Sequence, residues 1–82
     1  MTKRTIKNIN EFWPLLKTQT FYLVDFETDA IIKSTPGPED NPGIKYYRRI
    51  AGEDFELFWE NDIVFRAING QMLVTKKEYE NS

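Results

Sequence analysis

The chain has 82 residues, enough for one domain and one core, and twelve of its side chains are Phe, Tyr or Trp, whose large rings let a small core bury much area. It holds neither cysteine nor histidine, which removes disulfides, thiolate and imidazole metal ligands, the commonest general base and any Ser-His-Asp triad. Thirteen acids against eleven bases give a net charge of −2, too near balance to imply a polyanion partner or a thorough mimic of nucleic acid.

The opening Met1-Thr2-Lys3-Arg4 is basic but no apolar run follows, so no signal peptide is read. No stretch approaches the roughly 20 apolar residues that cross a bilayer. With a polar end at Asn81-Ser82, the expectation is a complete cytoplasmic protein, a single domain over residues 1–82, frayed at 1–7 and 77–82.

Ile9, Phe12, Trp13 and Leu16 fall at i, i+3, i+4 and i+7, one face of a helix. Asn8 or Asn10 can cap it, and Asn8 with Glu11 has capping-box spacing. Pro14 is tolerated only near a helix start, which favours Asn10 as the beginning of two turns that bury Phe12, Trp13 and Leu16. Residues 20–26 and 30–34 are β-branched and aromatic, hence strands, with Glu27-Thr28-Asp29 as their hairpin loop. Asp25, Glu27 and Asp29 repeat like the start of a calcium loop. Ala30 stands where the glycine belongs and Pro36 where the bidentate glutamate belongs, so a polar hairpin tip is the better reading.

Residues 35–43 hold three prolines and two Pro-Gly pairs that suit type II turns, making a stiff loop. Residues 44–50 alternate as a strand, and Ala51-Gly52 breaks it. Phe55, Leu57 and Trp59 alternate as a strand, whereas Phe55, Phe58 and Trp59 fit a helix; the short length favours a strand over 55–59 with Phe55, Leu57 and Trp59 inward. Asn69-Gly70 between apolar runs predicts a type I′ hairpin over 63–76, pairing Ala67 with Met72 and Phe65 with Val74 on the core side. The fold class expected is α+β: a short N-terminal helix packed on a five- or six-stranded antiparallel sheet or a small, partly open barrel.

The four glycines are too scattered for a phosphate loop. Two surfaces remain. Lys45, Tyr47, Arg48 and Arg49 interleave bases with rings, as a surface that binds single-stranded nucleic acid does. Glu53, Asp54, Glu56, Phe58, Glu60 and Asp62 combine five acids with an aromatic anchor, a pattern that suits a basic protein surface. The leading expectation is therefore a non-catalytic protein-binding module, in the manner of a phage-type accessory inhibitor that covers a basic surface on a larger protein. A nucleic-acid-binding barrel comes second and a subunit that self-associates through a sheet edge third. No catalytic residue, metal, cofactor or membrane partner is expected.

Overall fold

A computed structural model describes residues 3–4 and 9–82, with side chains from residue 10 onward. The elements in chain order are β1 (Lys3–Arg4), α1 (Ile9–Leu16), β2 (Phe21–Val24), β3 (Ile31–Pro36), β4 (Ile44–Ile50), β5 (Glu53–Leu57), α2 (Asp62–Gly70), β6 (Met72–Leu73) and α3 (Lys76–Glu80). The strands form one antiparallel sheet in the order β1-β6-β2-β3-β4-β5. The sheet does not close, so β1 and β5 are its edges. This is the α+β class expected from the sequence, in its open-sheet form.

Strand register sorts the side chains onto two faces. Leu23, Ile32, Arg48 and Phe55 lie in one row across the strands, and Phe21, Ser34, Tyr46 and Leu57 in the next. This is the core side, where Leu23, Ile32 and Tyr46 meet Phe12 and Leu16 of α1 and Val64, Ala67 and Ile68 of α2. Each fully buried Leu, Ile or Phe contributes roughly 2 kcal/mol, before chain entropy is set against it.

Helix α1 is the two-turn element read from the apolar spacing, with Phe12 and Leu16 buried. Trp13 is only partly buried, because it lies at the border of the core and touches Trp59. Pro14 sits inside the helix, which ends two residues later. The cap expected from Asn8 lies outside the described residues, as do residues 1–2 and 5–7 of the segment expected to fray.

Two expectations for the C-terminal third need correction. Residues 63–76 are not a hairpin: α2 runs over Asp62–Gly70, with the Asn61 carboxamide accepting from the Ile63 N–H at 2.8 Å as N-cap. Ile63, Val64, Ala67 and Ile68 form a stripe at helical spacing, and folding as a helix buries the last three of them. Asn69 donates its side-chain N–H to the Phe65 carbonyl instead of turning the chain. The residue in the left-handed region is Gln71, at φ 52°. Residues 77–80 are likewise not a frayed tail. They belong to α3, which Thr75 and Glu78 start with a capping box and which buries Tyr79 against the far side of the sheet. The sheet is thus covered by α1 and α2 on one face and partly by α3 on the other.

Candidate functional site

Ala51 and Gly52 take φ of 52° and 83°, the two positive values that a type I′ turn demands. That turn starts β5 at Glu53 and sets Arg49 opposite Asp54 and Tyr47 opposite Glu56. The acidic and basic stretches singled out in the sequence therefore meet on adjacent strands. On the face away from the core, Asp54 pairs with Lys33 at 3.1 Å and with Arg49 at 3.3 Å. Lys45 and Glu56 stand 3.9 Å apart. The Tyr79 hydroxyl of α3 donates to Asp54 Oδ1 at 2.7 Å.

This Tyr79 hydrogen bond, joined by those from Lys33 and Arg49, holds the Asp54 carboxyl below its usual range. Burial, then the bond to Asp54, pushes the Tyr79 phenol well above its own. The Lys33 ammonium also lies over the rings of Tyr47, at 5.1 Å, and Tyr79, at 5.8 Å. Lys45, Tyr47 and Arg49 do share one face, but each has Glu56 or Asp54 beside it. Arg48 points to the opposite face, across from Phe55.

The core side of the same edge is aromatic and open. Phe55 shares its face with the buried Tyr46, yet it is 47 % exposed, because it lies beyond the core that α1 and α2 make with Leu23, Ile32 and Tyr46. Beyond β5 the chain turns through residues 58–61, with the Asn61 N–H bonded to the Phe58 carbonyl. The strand expected over 55–59 thus begins and ends two residues early, and Phe58 and Trp59 fall in the turn. Trp59 stacks at a tilt on Trp13, Tyr46 and Phe65, with ring centres 5.3, 6.1 and 5.7 Å away. Phe58 is 67 % exposed, Phe65 53 % and Trp59 38 %. Glu53 and Glu60 make no ion pair among the described residues, and Asp62 lies near enough to Arg66 to help raise its pKa. Phe65 escaped the sequence reading, since a hairpin would have turned it inward.

The hairpin tip at residues 25–29 is a clamp. Asp25 is fully buried and takes two hydrogen bonds from Arg66 of α2, at 2.8 and 2.9 Å. The Thr28 hydroxyl and the Glu27 N–H donate to the same carboxylate. The Arg66 bonds above all lower the Asp25 pKa to about 2. Both oxygens serve the fold, and the described residues contain no cluster of acids, His or Cys that could hold a metal. The stiff loop after β3 forms one wall of an open pocket of about 490 Å³, with Trp13 of α1 and Lys17 just beyond it on the other.

The molecule is thus an α+β protein with an open antiparallel sheet whose edge strand β5 carries Asp54 and Glu56 on one face and the exposed Phe55 on the other. No helix among the described residues is long and apolar enough to cross a membrane. Comparison with protein-family models, curated proteins and solved structures finds no match.

Proposed function

We propose that this chain is a non-catalytic protein-binding module, an inhibitor-type domain that docks on a basic surface of a larger protein through the aromatic end of β5 and α2. The observation that carries this reading is the group Phe55, Phe58, Trp59 and Phe65, all exposed around one sheet edge and flanked by Glu53, Glu60 and Asp62. Exposed apolar patches rimmed by polar groups mark interaction surfaces, and rings make strong anchors there. Carboxylates at the rim suit arginine or lysine on the partner. Nucleic acid has less support, because Lys33, Lys45 and Arg49 stand 3.1 to 3.9 Å from Asp54 and Glu56, which repel phosphate.

The test starts from a partner captured by the tagged protein in its native cell, then purified and titrated by calorimetry. A one-to-one complex is expected. The double variants Phe58→Ala/Phe65→Ala and Glu53→Lys/Glu60→Lys are each expected to weaken it by about 2 kcal/mol or more, with thermal unfolding little changed. Wild-type affinity in both variants would contradict the assignment of the surface.

A further inference from the structure

We infer that β5 is a docking strand, which takes up an extended segment of the partner as a further strand, and that this segment alternates basic with apolar side chains. The inference rests on the protein-binding reading and adds the mode of contact and the chemistry of the partner. Three observations lead to it.

The first is the free edge. β5 closes the sheet on one side and, among the described residues, pairs only with β4, and four of its five residues are exposed. In a two-residue I′ hairpin the pair flanking the turn exchanges hydrogen bonds, and bonded and non-bonded pairs then alternate. Glu53, Phe55 and Leu57 therefore bond to β4. Asp54 and Glu56 turn their N–H and C=O groups to the open side, where an incoming strand finds two donors and two acceptors.

The second is charge order. Across the far face the columns run positive, with Lys33, Lys45 and Arg49, and then negative, with Asp54 and Glu56. Opposite charges on facing strands stabilise and like charges destabilise, so the next column should be basic. On the core side, Phe55 with Trp59 and Phe65 calls for apolar side chains at the alternate positions.

The third is what the edge rejects. Residues directly opposite in a strand pair share a face, and the far face of β5 holds only Asp54 and Glu56. Antiparallel pairing of two β5 strands would set acid against acid in every register. A second copy is thus disfavoured at this edge, as edge strands that resist aggregation commonly are.

The probe is a fluorescein-labelled seven-residue peptide alternating lysine with valine, followed by polarisation, beside an isomer with its lysines grouped at one end. The alternating peptide should bind, and the isomer should bind about tenfold or more weakly. Glu56→Pro deletes an outward N–H while sparing the bonds to β4, and should weaken binding by about tenfold or more; Glu56→Gln, which keeps the N–H, should stay within about threefold. If Glu56→Pro fails to fold, amide exchange of the wild type decides: the Asp54 and Glu56 amides should become protected when the peptide is added. Equal binding of both peptides, no binding of either, or unprotected amides in the complex would overturn strand addition. So would a mass that rises with concentration through β5, which would make a second copy the occupant, for instance through its Lys3–Arg4 edge. Failure of the peptide alone, with native-partner binding still lost in Phe58→Ala/Phe65→Ala, would remove strand addition and leave the protein-binding reading standing.

Discussion

Asp25 and Arg66 hold the β2–β3 hairpin tip onto α2, and the clamp fixes the slope of stability against pH. A carboxyl whose folded pKa lies near 2, against an ordinary 3.8, stabilises the fold fully above the ordinary value and loses that contribution as pH falls toward 2. Asp54, also lowered, adds in the same direction. Urea unfolding from pH 5 to pH 2 should show stability falling through this window. Arg66→Met should cost roughly 2–4 kcal/mol at neutral pH, because it strands a buried carboxylate. Its acid limb should be shallower or reversed, since protonation then relieves the stranded charge. An equally steep limb in the variant would mean that the clamp is not formed.

Two smaller side chains make opposite predictions. Ser34 is fully buried among apolar neighbours and its hydroxyl has no hydrogen-bond partner among the described residues. Removing an unsatisfied polar group is neutral or favourable, so Ser34→Ala should leave stability unchanged or raise it by up to about 1 kcal/mol. Gly37 is constrained from outside: a Cβ there would stand 2.5 Å from the Asn41 carbonyl oxygen and 2.7 Å from that of Gly43. Both are backbone atoms of the same loop. Gly37→Ala should therefore cost about 1–3 kcal/mol in thermal or urea unfolding.

At the scale of elements, the type I′ turn is the clearest lesson. Asn69-Gly70 is the stronger hairpin signal in the sequence, yet the two positive-φ residues of a tight hairpin are Ala51 and Gly52. Local turn preference is weak against burial of a helical stripe, and Val64, Ala67 and Ile68 decide the matter at the other site. Gly70 meets a different need: a Cβ there would come 3.2 Å from Phe26 Cδ1. Ala51 is an alanine in a conformation that asparagine and glycine prefer, so Ala51→Asn should raise stability by about 0.5–1 kcal/mol. A loss of stability would argue against the turn and the register it sets.

That register explains what was legible. Helix α1, strand β4 and the strand character of β5 follow from spacing and composition over a few residues. The acidic and basic stretches also stood out by themselves. Their pairing did not, because it depends on which residue of β5 faces which of β4, and the early start at Glu53 shifted both ends of the expected strand. Phe65 was hidden for the same kind of reason, since its exposure follows only once residues 62–70 are helical.

For the whole molecule, helices on both faces of the sheet leave one long edge and one aromatic corner uncovered among the described residues. The far face is close to charge balance within itself, whereas the corner gathers exposed rings beside the acids Glu53 and Glu60, which make no ion pair among the described residues. The proposed docking surface therefore combines this corner with the adjoining edge of β5. The most direct measurement is amide hydrogen exchange along β5, resolved by residue, in the free protein at a concentration where it is monomeric. The open edge predicts alternation: fast exchange at Asp54 and Glu56, slow exchange at Phe55 and Leu57, and slowing at the first two when the alternating lysine peptide is added. Protection of Asp54 and Glu56 in the free monomer, or the opposite alternation, would contradict it, because the edge would then be covered or the strand would lie in the other register.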